Sequence, residues 1–157
     1  MQNRSRTSTG FTLVEILIVV VILGILAAIV IPQFTNASES AKGSSLVSQL
    51  QTIRGQLELY QTQHNGNYPT LAQLWGNMTS YTDVAGAAQA TKDATHIYGP
   101  YLQQAPVNPL ENSSTTASAA AAGVGWVYTA ATGAITANAK QAKATALNLA
   151  TTDVSTY

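Results

Sequence analysis

The sequence predicts an α+β protein in which a long N-terminal helix, one half membrane-spanning and the other half amphipathic, packs against a small C-terminal antiparallel sheet. Three observations carry this reading. Residues 11–31 are apolar apart from Glu15. Leu46, Leu50, Ile53, Leu57 and Tyr60 recur at alternating spacings of four and three, the stripe of a 3.6-residue helix. Gly125-Trp126-Val127-Tyr128-Thr129 and Ala134-Ile135-Thr136-Ala137-Asn138 flank Ala130-Ala131-Thr132-Gly133, β-prone runs around a glycine turn.

A chain of 157 residues suits one small domain with an appendage. Seven Lys and Arg balance seven Asp and Glu, so there is no basic stripe to neutralise phosphates and no nucleic-acid partner is expected. The absence of cysteine excludes disulfides, thiolate nucleophiles and cysteine metal sites.

Along the chain, Arg4 and Arg6 come first, in the polar segment 1–10. At roughly 1.5 Å per residue the apolar stretch that follows reaches about 30 Å as a helix, enough to cross a bilayer. The basic residues before it should stay cytoplasmic, which sends everything after Pro32 outward. A cleaved secretory signal has a shorter apolar run and a small-residue cleavage site, of which the residues after Pro32 give a weak version. Glu15 sits where a carboxylate is costly without a partner. It either lies near the headgroups or meets a compensating charge. Cleavage between Gly10 and Phe11 would create an amine four residues before it, in the same chain or a packed neighbour.

The run Gly10-Phe11-Thr12-Leu13-Val14-Glu15, after a short basic leader and at the head of an apolar helix, resembles the processing site of type IV pilins and type II secretion pseudopilins. The resemblance implies a pilin-like fold. It also implies that a membrane-embedded aspartyl peptidase cuts after Gly10 and methylates Phe11, and that Glu15 registers subunits during assembly. Gly24 and Pro32 fall where the family has a helix-loosening glycine and a kinking proline. On this reading residues 1–10 are a leader, 11–31 the transmembrane and assembly helix, 32–63 its amphipathic continuation, and 64–157 the outer globular part.

Pro32 lacks a backbone donor and disfavours helical geometry at Ile31, so a kink or local melting is expected before the helix resumes. The apolar stripe beyond it is core, with Gln49, Gln56 and Gln63 left to solvent or neighbouring subunits. His64-Asn65-Gly66-Asn67-Tyr68-Pro69 ends the helix, and its Gly-x-Tyr-Pro turn is similar to that of pilin-like proteins. Leu71, Leu74 and Trp75 suit a short helix returning to the long one. Residues 76–95 give no clear element, and Asp83, Lys92 and Asp93 read as solvated loop residues.

Gly99-Pro100-Tyr101-Leu102 and Ala105-Pro106-Val107-Asn108-Pro109-Leu110 form a rigid, turn-rich passage. It resembles the corresponding passage of major pseudopilins, which often carry an aspartate where this chain has Asn108, a departure expected to weaken any polar contact there. Residues 112–122 read as an exposed Ser/Thr/Ala loop open to glycosylation. The hairpin also resembles the C-terminal sheet of major pseudopilins, which often bind calcium in a neighbouring loop. Calcium needs six to eight oxygen ligands, yet Glu111 and Asp153 are the only acids after Asp93, so no metal and no cofactor is expected. Residues 140–157 suit a short helix and an extended tail.

No catalytic constellation emerges. His64 and His96 lack a metal-ligand pattern and read as surface or turn residues. Asp83 and Asp93 have no defined separation, and no phosphate-binding glycine motif is present. The expected function is therefore structural: a type II secretion pseudopilus subunit, stored in the bacterial inner membrane as a single-pass precursor with its C-terminal part periplasmic. It would assemble into a homo-oligomeric filament in the periplasm or at the cell surface. The implied partners are a prepilin peptidase and methylase, an inner-membrane platform protein, an assembly ATPase and minor pilin-like subunits. The alternatives are a type IV pilus subunit and a membrane-anchored binding protein that forms no filament.

Overall fold

The computed structural model describes residues 10–157. Arg4 and Arg6 lie outside the described residues. The chain divides into two compact units, Met1–Ser38 and Glu39–Tyr157.

Helix α1 (Leu13–Gln63) begins in the first unit and ends in the second. In the first unit every described residue is solvent-exposed, including the whole apolar run, with Leu13 84% and Ile25 57% exposed. The helix passes through Pro32 without interruption, so the local melting expected there does not occur. A proline nitrogen removes one intrahelical hydrogen bond, and the helix continues for many residues on either side of that single loss.

The second unit is built on the apolar stripe of α1. Leu46, Leu50, Ile53, Leu57 and Tyr60 are all buried, as their spacing predicts. The glutamines behave differently. Gln49, Gln56 and Gln63 are half-buried rather than solvent-facing, and the Gln63 amide oxygen accepts the Tyr101 hydroxyl at 2.6 Å. The helix closes where the sequence indicates: Asn65 and Gly66 take positive φ of 55° and 81°, and the Gly66 N–H returns to the Gln61 carbonyl at 2.9 Å.

Helix α2 (Leu74–Thr79) buries Leu74 and Met78 in the core. The unassigned tract that follows holds a two-stranded antiparallel sheet, β1 (Tyr81–Thr82) with β2 (Ala88–Gln89). Its turn is capped by Asp83, whose Oδ1 accepts the Ala85 and Ala87 N–H groups at 3.0 and 2.8 Å.

The main sheet has the order β3 (Thr116–Ala117), β4 (Trp126–Thr129), β5 (Ala134–Ala139), β6 (Val154–Thr156). β4 and β5 form the expected hairpin, with Trp126 opposite Ala137 and Tyr128 opposite Ile135. Gly133 turns it at a φ of 68°, and a Cβ there would run into the Tyr68 ring. The alternation works as a half-buried strand requires: Trp126, Tyr128, Ile135 and Ala137 face the helix stripe, and Thr129 faces water.

The sheet is mixed rather than antiparallel throughout, because β3 runs parallel to β4 and β6 parallel to β5. The β5–β6 connection contains α3 (Gln141–Ala146), the kind of crossover that a parallel neighbour needs. The extended tail expected at the C-terminus is an edge strand, and the exposed loop expected at 112–122 contains β3. Arg54 on α1 fastens this edge: it donates to the carbonyls of Ile135 at 3.0 Å and Thr152 at 2.7 Å, and pairs with Asp153 at 2.8 Å.

Candidate functional site

The residues singled out for processing and assembly lie in the first unit. Gly10 and Phe11 precede the helix in exposed, irregular backbone, with Phe11 83% exposed. Thr12 then starts α1. Its hydroxyl accepts the Glu15 N–H at 3.2 Å, while its own N–H and hydroxyl both donate to Glu15 Oε2 at 2.8 Å. This reciprocal pattern is a capping box, which satisfies donors that a helix start otherwise leaves unpaired. The Glu15 carboxylate thus has a local partner in Thr12. The expectations for Glu15, a place near the headgroups or a compensating charge, did not include Thr12. The Thr-x-x-Glu spacing ahead of an apolar run was the available signal.

From Leu13 to Ile31 no side chain is covered by another element. A stretch of this helix has a mean hydropathy of 3.3 and no buried residue, and among the described residues α1 alone is long and apolar enough to cross a membrane. A helix that is hydrophobic all round must be surrounded by lipid or by other helices. Gly24 and Pro32 are both exposed on it, and a Cβ at Gly24 would meet open space.

The histidines do not form a site. His64 is buried, not at the surface: its ring stacks on Tyr60 at 3.6 Å, Nδ1 donates to the Tyr60 carbonyl at 2.7 Å, and Nε2 accepts the Thr82 hydroxyl at 2.9 Å. Around it burial raises the Tyr60 hydroxyl and pushes that of Tyr101 up to about 12, so both stay neutral. His96 pairs with Asp93 at 3.0 Å in an exposed turn. The Asp93 carboxyl is held well below its usual range, first by the His96 and Thr95 backbone N–H groups. Among the described residues no three His, Cys, Asp or Glu side chains could share a metal.

Calcium does not fit the donor set beside the hairpin. The two acids near it are engaged, Glu111 by the Tyr157 hydroxyl at 2.9 Å and Asp153 by Arg54. The carbonyls there face hydrogen-bond donors instead. Asn108 is fully buried and holds three polar contacts of its own. Its Nδ2 donates to the Gly125 and Asn138 carbonyls, both at 2.7 Å, and its Oδ1 accepts the Leu110 N–H at 2.8 Å. An aspartate could not donate those two bonds, so asparagine here is a requirement of the local geometry.

Comparison with known proteins agrees with the geometry of the first unit. Residues 5–31 match the prokaryotic N-terminal methylation motif. The chain is 31% identical over 109 residues to the type II secretion system core protein G of Aeromonas hydrophila, covering 69% of this chain and 72% of that protein. It is 36% identical over 113 residues to the same protein of Pseudomonas aeruginosa (71% and 73%), and 34% over 100 residues to that of Klebsiella pneumoniae (64% and 67%). No solved structure matches. A methylation motif, an uncovered apolar helix for inner-membrane anchoring and relatives of one description over most of their length lead to one conclusion: this chain belongs to the type II secretion system core protein G family, the pseudopilins.

Proposed function

We propose that this chain is the repeating structural subunit of a type II secretion pseudopilus. The observation that carries the reading is the apolar helix of residues 11–31, uncovered on every side and headed by the methylation motif. Residues 1–10 are removed after Gly10, and Phe11 becomes the methylated N-terminus. Residues 11–31 anchor the precursor and then pack in the filament, residues 32–63 continue the helix, and residues 64–157 form the outer part in the periplasm.

Glu15 supports this role through the way it is held. Thr12 engages Oε2 alone, which leaves Oε1 to accept the new Phe11 amine of the same chain or of a neighbour. The capping box keeps the carboxylate oriented before that partner arrives. Gly24 and Pro32 provide the positions at which the helix adapts to its neighbours. The chain itself performs no catalysis. The peptidase and methylase, the platform protein, the ATPase and minor pilin-like subunits supply processing, extrusion and initiation.

Deletion of the gene, with complementation, tests the reading. Exported proteins should accumulate in the periplasm with no long surface fibre missing. Intact secretion together with loss of a surface fibre would assign the chain to a type IV pilus. Intact secretion with no fibre lost, and a chain that stays monomeric in the membrane, would leave it an anchored binding protein.

A further inference from the structure

Strand β5 contains a residue that its own alternation does not explain. Ala137 and Ala139 face the core, so Asn138 between them should face water, yet it is fully buried. The segment joining β3 to β4 covers it. Asn138 Nδ2 donates to the carbonyls of Ala121 at 2.7 Å and Val124 at 2.8 Å. The next carbonyls along are held in the same way: Gly123 accepts the hydroxyls of Ser113 at 2.7 Å and Thr115 at 2.8 Å, and Gly125 accepts Asn108 Nδ2. Two of these carbonyls, Ala121 and Val124, thus converge on one amide nitrogen, and those of Gly123 and Gly125 take separate neutral donors, with Gly125 placed where a Cβ would collide with the Ser113 carbonyl.

Converging carbonyls are how proteins present oxygens to a hard cation. Here the position in front of Ala121 and Val124 is filled by an amide nitrogen. The orientation is dictated by the acceptors, since turning the amide over would set its oxygen against two carbonyl oxygens. That orientation leaves Asn138 Oδ1 buried with no donor in reach. A buried acceptor without a partner is costly, and its retention indicates that the two bonds from Nδ2 outweigh it.

We propose that the side-chain amides of Asn138 and Asn108 lock this carbonyl-lined loop in place of a divalent cation. The outer unit is then stable without calcium, and Asn138 Nδ2 occupies a cation's position. The inference concerns the fold of the outer unit and stands apart from the secretion reading.

The test is thermal unfolding of the full chain in detergent, followed by tryptophan fluorescence, in about 5 mM calcium and in chelator, a range that saturates weak extracellular calcium sites. The wild type should melt at the same temperature in both. A lower melting temperature in chelator, or stoichiometric calcium in the purified protein, overturns the proposal. Asn138→Asp faces the same two carbonyls with a carboxylate. It should melt about 5 °C or more below wild type in chelator and regain part of the difference in calcium, but not in magnesium, whose strict octahedral geometry the loop does not offer. An Asn138→Asp chain as stable as wild type in chelator would overturn the lock, and one that melts low under both conditions would overturn the cation equivalence. If that variant does not fold, the wild-type comparison alone decides.

Discussion

The two units use apolar residues in opposite ways. In the unit Glu39–Tyr157, α1 shows one stripe to a sheet, and the largest side chains, among them Trp126, Tyr128, Leu50 and Ile53, vanish from solvent. In the described part of the unit Met1–Ser38 apolar residues make up a larger share of the chain and none is covered. The outer unit carries its own core and its own polar locks. The described residues of the N-terminal unit form no core of their own, and their burial must come from lipid and from other chains. An amphipathic stripe is an instruction to fold, whereas a helix apolar on all sides is an instruction to associate.

Substitutions should separate the two. The largest effect is expected at Asn108, because Asn108→Ala leaves the Asn138 carbonyl and the Leu110 N–H without side-chain partners in a fully buried site. At about 1–3 kcal/mol for each of the two orphaned groups, the loss should be about 2–6 kcal/mol by urea unfolding. Leu50→Ala should cost about 2–5 kcal/mol through the cavity it leaves. Its counterpart in the other unit, Leu23→Ala, should leave the melting of the outer unit where it was. A drop at Leu23 comparable to that at Leu50 would break the distinction.

Arg54→Ala should have a smaller effect, about 1–2 kcal/mol, since Arg54 is part-exposed and its bonds hold an edge strand. The sharper sign would be faster amide exchange confined to Val154–Thr156. The smallest effect concerns pH. His96 and Thr95 backbone donors depress the Asp93 carboxyl, so the folded state holds the ionised form more strongly than the unfolded state does. That contribution is fully present above the unfolded carboxylate range and is lost progressively as pH falls from there through the depressed folded value. Because Asp93 is exposed, Asp93→Asn should flatten the acid limb of the stability profile only slightly.

What could be read beforehand follows the strength of the periodic signal. The helix stripe and the hairpin each repeat over enough residues to state their own geometry, and their burial and register agree with the expectation. β3 and β6 span two and three residues, too short to show alternation, and pair through backbone register. Asn108 and Asn138 were illegible for another reason. Their partners are backbone carbonyls 14 to 30 residues away in sequence, and only the folded chain brings such acceptors to an amide. His64 does lie in the turn at the helix end, but its burial was illegible, because only the fold brings Tyr60 and Thr82 around it. At the proposed assembly site Glu15 was legible and Thr12 was not, although both belong to one four-residue box.

The central claim is that the N-terminal helix serves assembly and the outer unit folds on its own. Glu15→Ala, with filament yield and outer-unit melting measured on the same preparation, tests it most directly. Filaments should be lost or strongly reduced while the chain stays in the membrane and the melting temperature is unchanged. Filaments at wild-type yield would contradict the account, and so would an outer unit that melts lower.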